Sequence, residues 1–261
     1  MNKKILEKKA LLHIGIISIF PNMFHTIINY GITRKAIQKG IMKLDIFNPR
    51  HYTKNKYRNI DNRPYGGGPG MLMQAQPLKL AIENAKSKLE CDAKVLYLSP
   101  KGYKINQETI VKLSKMQHII LLCGRYKGID ERLIHSKIVN EEISIGDYIL
   151  SGGELPAMIL IDMICRLLPG SLNAIKSKQH DSFYKGLLDC PHYTRPKVFH
   201  NIEVPNILLS GNHKKIKTWR LQQSLGQTWI KRPDLLNNIT LTKEERNLLE
   251  QFKEKKLKSK T

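Results

Sequence analysis

Residues 145–156 are Ile-Gly-Asp-Tyr-Ile-Leu-Ser-Gly-Gly-Glu-Leu-Pro. A short stretch earlier, residues 123–132 read Cys-Gly-Arg-Tyr-Lys-Gly-Ile-Asp-Glu-Arg. Both stretches carry glycines, both follow or contain a strand-like apolar run, and both lead into a helix-like segment. Together they describe a pocket walled by backbone at the carboxyl ends of parallel strands. Such a pocket suits a flat purine base with few charged contacts. It is a small-molecule cofactor site and not a phosphate cradle, because neither stretch ends in the Lys-Ser/Thr of a nucleotide-triphosphate loop.

Working outward, the apolar pattern alternates between strands and helices. Residues 14–20 are short and β-rich, and read as a buried first strand. Pro21 suits the first turn of a following helix carrying Met23, Phe24, Ile27 and Ile28 on one face. Residues 42–47 alternate as a second strand. Residues 48–77 have little periodicity, many charges and the glycine run 66–68, a pattern expected of a functional or disordered segment. Helix over 78–89, strand over 95–98 ending at Ser99-Pro100, helix over 107–115, strand over 119–123 and a helix from Asp130 to Ser136 come next. Residues 155–168 form a strongly apolar helix closed by Pro169-Gly170. This order predicts an α/β fold, a mostly parallel sheet with helices on both faces.

After Gly170 the composition changes. Residues 173–180 are polar and aperiodic and read as a linker. Beyond them lies a smaller helical region. Residues 214–225 carry Ile216, Trp219 and Leu225 among Lys214, Lys215, Lys217 and Arg220, with Gly226 following. Thr242-Lys243-Glu244-Glu245 is a capping box opening a helix with Leu248, Leu249 and Phe252. Residues 253–260 read as a frayed lysine-rich tail. The expected organisation is a basic leader over 1–10, a cofactor domain over 11–172, a linker over 173–184 and a helical domain over 185–261.

The chain has 261 residues, 44 of them basic and 22 acidic, a net charge of +22. An excess of that size points to a polyanionic partner, RNA or DNA. The four cysteines, at 91, 123, 165 and 190, form no CxxC pair. This argues against a zinc ribbon and implies no disulfide, so a reducing cytoplasm fits. Cys190-Pro191-His192 is half of a possible metal site without its other half, and no metal is expected. Lysines precede the apolar run 11–20 as in a secretory signal, but no small-x-small cleavage site follows and the run is too short to span a bilayer.

Four runs taken together resemble the bacterial tRNA (guanine-N1)-methyltransferase family, a knotted SPOUT-type group. They are Tyr-Gly-Gly-Gly-Pro-Gly-Met at 65–71, residues 123–132, residues 144–156, and Gly-Leu-Leu-Asp-Cys-Pro-His-Tyr-Thr-Arg-Pro at 186–196. The resemblance runs from about Ile14 to near the C-terminus. It implies a trefoil knot around the cofactor site, which general rules on chain threading would have argued against. It also implies S-adenosyl-L-methionine as cofactor, tRNA as substrate, and a homodimer with a composite active site. The reaction implied is methylation of guanine N1 in the guanosine immediately 3′ of the anticodon. A related knotted enzyme acting on ribose or another base, and a non-catalytic RNA-binding protein of the same fold, are the alternatives.

Carried over residue by residue, the resemblance places the cofactor against Leu98, Ser99, Pro100, Gly124, Tyr126 and Gly128. It adds Ile145, Gly146, Asp147, Tyr148, Ile149 and Leu150, then Gly152, Gly153 and Pro156. Asp181 matches the general base that takes the guanine N1 proton, because N1 becomes nucleophilic only as that proton leaves. Arg166 matches the cation that stabilises charge developing on O6. From the sequence alone, Asp181 reads more readily as a solvated linker residue, and Arg166 can be read as a helix-end cation; the resemblance favours the catalytic roles. Tyr65 is expected to stack on a base, Asp189 and His192 to recognise the guanine or close the site, and Lys214, Lys215 and Arg220 to grip RNA. Lys127 departs from the family pattern, which has Glu at that position.

Overall fold

The computed structural model describes residues 10–172 and 181–258. Residues 1–9 of the leader, the linker over 173–180 with His180, and the last three residues lie outside the described residues. The chain divides into two compact units, Met1–Asn173 and Ala174–Thr261.

The first unit is built on five strands, β1 (Leu12–Ile17), β2 (Met42–Phe47), β5 (Lys94–Lys104), β6 (His118–Cys123) and β7 (Glu141–Ser144). Their order is β2-β1-β6-β5-β7 and every neighbouring pair is parallel. Two-residue β3 (Asp61–Asn62) and β4 (Leu72–Met73) pair separately. Parallel strands need crossovers, and helices supply them: α1 (His25–Asn29), α2 (Gly31–Gln38), α3 (Ala75–Leu89), α4 (Gln107–Leu113) and α5 (Arg132–His135), while α6 (Glu154–Leu167) follows the last strand of the sheet.

The period of two in the strands sorts the core into two layers. Leu12, Ile14, Leu96, Leu98, Ile119 and Leu121 face α2, α4 and α6, where Ala36, Ile110 and Leu160 meet them. Val95, Tyr97, Ile120 and Leu122 face α3 and α5, where Leu78, Ile82 and Leu133 meet them. With both faces covered, the inner strands carry continuous apolar runs, residues 95–98 of β5 and 119–123 of β6.

Several expected boundaries move. The first strand ends at Ile17, short of Phe20, because the Ser18 hydroxyl accepts the Phe20 amide at 3.0 Å and turns the chain. Pro21–Phe24 is a 3₁₀ turn ahead of α1. The strand expected to stop at Ser99-Pro100 runs on to Lys104. Its register on β7 slips between Leu98 and Tyr103, so the Pro100 segment bulges out where a proline has no amide to give. Strand β7 and helix α2 were not foreseen.

The second unit holds a hairpin of β8 (Val198–Phe199) and β9 (Ile202–Glu203), then α7 (Asn206–Leu209), α8 (His213–Lys231), α9 (Pro233–Leu236) and α10 (Lys243–Lys258). Leu225, Leu248 and Leu249 form its core, with Trp229 and Leu236 against them. Helix α8 does not stop at Gly226. That residue lies against the Phe252 ring, where any Cβ would collide, so it serves the close approach of α8 and α10. The capping box is present: the Thr242 hydroxyl accepts the Glu245 amide at 3.2 Å and Glu245 Oε2 accepts the Thr242 amide at 2.8 Å. The tail expected to fray is helical as far as Lys258.

Candidate active site

At the carboxyl edge of β5, β6 and β7 lies a cleft of about 260 Å³. Strand β5 contributes Leu98, Ser99 and Pro100, and the turn after β6 contributes Gly124, Tyr126 and Gly128. The loop after β7 contributes Ile145, Gly146, Tyr148, Ile149, Leu150, Gly152 and Gly153, and α6 contributes Pro156. Asp147 is not among the lining residues. Its carboxylate is 74% exposed and pairs with Lys104 on the outside of the loop.

Backbone hydrogen bonds hold the three turns together. The Gly153 amide donates to Gly124 O at 2.9 Å, joining the loop after β7 to the loop after β6. A Cβ on Gly153 would sit 2.8 Å from Cys123 Cα, so only glycine permits that approach. The Ser144 hydroxyl donates to Gly146 O at 3.0 Å and fixes the entry to the second loop. Tyr97, which sequence reasoning missed, lies under Gly124 and Gly128. Burial, reinforced by the Glu142 charge, pushes its hydroxyl up to about 12, so it stays protonated. The glycine-rich run 65–71 reaches the cleft through its far end. Lys127 N donates to Met71 O at 2.9 Å, and Met73 N to Gly128 O at 2.9 Å. Tyr65 itself is fully exposed and does not line the cleft.

A buried ion pair braces the cleft from behind. Glu154 is fully buried at the first turn of α6, where the helix dipole favours a carboxylate. Its Oε2 accepts Arg125 Nε at 2.9 Å and its Oε1 accepts the Ser18 hydroxyl at 2.8 Å. The Arg125 guanidinium also lies 4.6 Å from the Phe20 ring centroid and donates to Ser151 O at 3.2 Å. One carboxylate thereby links the end of β1, the turn after β6 and α6. Arg125 and Glu154 both stand in the stretches quoted first, yet nothing in the sequence pairs them across 29 positions. The Cys123 thiol beside them is raised well above its ordinary range, by burial first and then by Glu154, so it is not a nucleophile.

The remaining predicted residues are not among those that line this cleft. Arg166 is exposed in the last turn of α6, on one stripe with Leu155, Ile159 and Asp162. Ten residues separate it from Pro156, about 15 Å along a helix. Asp181, in the second unit, is exposed and opens a turn in which Tyr184 N donates to its carbonyl at 3.3 Å. Asp189 Oδ1 accepts the Cys190 amide at 2.7 Å, and Oδ2 lies 2.7 Å from His192 Nε2. Burial alone would raise the Asp189 carboxyl, but the bonds from His192 and Cys190 outweigh it and hold the group below the usual carboxylate range. Asp189 completes a trio with Cys190 and His192 whose possible ligand atoms fall within 4.8 Å, the one such cluster among the described residues. Lys214, Lys215 and Arg220 are exposed on α8. Arg220 is close enough to Cys190 for its charge to act on the thiol. Tyr193 meets half-buried Trp219 with ring centroids 6.5 Å apart.

A parallel sheet with a backbone-walled cleft at its carboxyl edge defines an α/β domain with room for a small ligand. The comparisons with known proteins are more specific. The family model described as tRNA (Guanine-1)-methyltransferase TrmD matches residues 12–238, and the chain belongs to this family. It is 64% identical over 242 residues to the tRNA (guanine-N(1)-)-methyltransferase of Buchnera aphidicola subsp. Baizongia pistaciae, covering 93% of this chain and 97% of that one. Proteins of the same name from Baumannia cicadellinicola and Edwardsiella ictaluri are each 56% identical, over 92% of this chain and 94% of theirs.

Proposed function

We propose that the chain is an S-adenosylmethionine-dependent tRNA (guanine-N1)-methyltransferase acting on the guanosine immediately 3′ of the anticodon. The observation that carries this is the convergence of two glycine-bearing loops and the Ser99-Pro100 segment of β5 into one cleft within a chain of this family. The cleft is suited to the adenosine part of the cofactor: its wall is mostly backbone and apolar side chains, with no carboxylate among the lining residues. S-adenosylmethionine supplies the methyl group when bound there, in a loop region that the family resemblance makes a trefoil knot.

The chain's own residues supply positioning and proton transfer. Asp181 takes the proton from guanine N1, which is a poor nucleophile while protonated. Arg166 donates to O6, where negative charge gathers as that proton leaves. Because Arg166 lies about 15 Å along α6 from Pro156, it serves the cleft of a second copy more readily than its own. The exposed stripe on α6 supports such a pairing, since Leu155 and Ile159 are 50% and 44% exposed. A homodimer with composite sites follows from two α6 helices meeting about a twofold axis. The second unit, with Lys214, Lys215 and Arg220 outward, acts as the tRNA-binding domain. Asp189 and His192 position the target guanine there, and Tyr65 stacks on a base from its exposed loop. Among the described residues no helix is long and apolar enough to cross a membrane, and the proposed location is the cytoplasm.

Methyl transfer to unmodified tRNA transcripts, with guanosine or adenosine at the target position, tests the reading. Transfer to the guanosine transcript alone, at N1, is the expected result. Equal transfer to both, or transfer to ribose, would replace it with another RNA methyltransferase.

A further inference from the structure

We propose that Lys127 selects the carboxylate of the cofactor: its ammonium holds the α-carboxylate of S-adenosylmethionine at the mouth of the cleft. The inference rests on the methyltransferase reading above. Two charged side chains line the cleft, Arg125 and Lys127, and no acidic one does. Arg125 is already engaged by Glu154, Ser151 and the Phe20 ring. Lys127 is exposed, and no described carboxylate forms an ion pair with it.

Lys127 is nevertheless held in place. Its amide donates to Met71 O at 2.9 Å. Its aliphatic stem lies flat against Gly70, where an added Cβ would come within 2.9 Å of Cγ and 3.0 Å of Cδ. A stem packed along the loop leaves the ammonium exposed on a residue that lines the cleft. The ligand carries a sulfonium and an ammonium, both positive, and one carboxylate. An unpaired lysine repels the two cationic groups and attracts the third. The neutral wall therefore takes the adenosine, and the rim orients the amino-acid end with its carboxylate toward Lys127.

Calorimetry separates this from the wider reading. Wild-type protein is titrated with S-adenosylmethionine and with decarboxylated S-adenosylmethionine, which lacks only the carboxylate. No wild-type binding of S-adenosylmethionine would remove the methyltransferase reading itself. Given binding, K127M keeps the stem on Gly70 and removes the charge. It should weaken S-adenosylmethionine binding about fivefold, the upper range for a partly exposed ion pair. Binding of the decarboxylated ligand should be unchanged or tighter, because a positive charge facing a dication has gone. K127Q, measured beside it, gives the same comparison if K127M fails to fold. Equal weakening of both ligands overturns the assignment. So does unchanged S-adenosylmethionine affinity, including the case where tRNA binding alone weakens and the lysine belongs to the RNA.

Discussion

Replacing Glu154 by leucine tests whether the buried ion pair organises the cleft. The substitution removes a fully buried carboxylate that accepts from Arg125 Nε at 2.9 Å and from the Ser18 hydroxyl at 2.8 Å. Breaking one side of a buried pair costs about 3–5 kcal/mol, because the other charge is left uncompensated. The Arg125 side chain is 19% exposed and keeps the Phe20 ring, which places the expected loss at about 3 kcal/mol. For a unit of this size that lowers the melting temperature by about 6–12 °C. The double substitution Arg125→Met with Glu154→Leu removes both charges. It leaves the Ser18 hydroxyl without its acceptor, a loss of about 1 kcal/mol, while Ser151 O, on an exposed residue, exchanges the Arg125 donor for water. Chemical and thermal unfolding of the two variants beside the wild type measures both losses. A single variant within about 1 kcal/mol of wild type, or a double variant no better than the single, would refute the account.

Asp181→Ala should lower methyl transfer about a hundred- to ten-thousand-fold while cofactor affinity in calorimetry stays near wild type; activity within a few-fold of the parent removes Asp181 from the mechanism. Asp189, held below the usual range, contributes stability that is complete above about pH 4 and is lost as pH falls through its lower folded value. Asp189→Asn should flatten that acid limb, read by the fluorescence of Trp219 and Trp229, the two tryptophans of the chain, both in the second unit; an unaltered acid limb contradicts it. Asp181→Ala and Gly146→Trp, each inactive alone, should on subunit exchange regain about a quarter of parental activity, since half the dimers are mixed and one of their two sites is intact. Exchange that demonstrably occurs without rescue means each chain builds its site alone.

The sequence disclosed the parts of the fold that are stabilised locally. Residues 119–122 are buried on both sides, so an unbroken apolar run marks β6 without any long-range information. Strand β7 is as necessary to the sheet but carries Glu141 and Glu142, because it is an edge with β5 as its only neighbour. Its Glu141 is paired with Lys94 and with the Tyr103 hydroxyl at 2.9 Å, contacts made 38 and more positions away. The segment over 48–77 has no period of its own for the same reason. Its order comes from Met71 and Met73 bonding to Lys127, Gly128 and Asp130. In the cleft, the turns were legible because glycine advertises close backbone approach. Tyr97 and the trio of Ser18, Arg125 and Glu154 were not, since each is an ordinary residue whose meaning appears only when distant segments meet.

That division follows the chemistry. Holding a nucleoside against backbone demands residues that cannot be replaced without a clash, and such residues cluster in short, readable turns. Moving a proton on an RNA base demands the opposite: a carboxylate and a cation that reach outward to a substrate arriving from solvent. Asp181 and Arg166 are both exposed, one opening a turn in the second unit and the other at the far end of α6. Neither is buried enough for its surroundings to declare a role, and Arg166 lies about 15 Å along α6 from Pro156. The roles proposed for them need a second copy and an RNA, so the mixed-dimer experiment is the one that tests them.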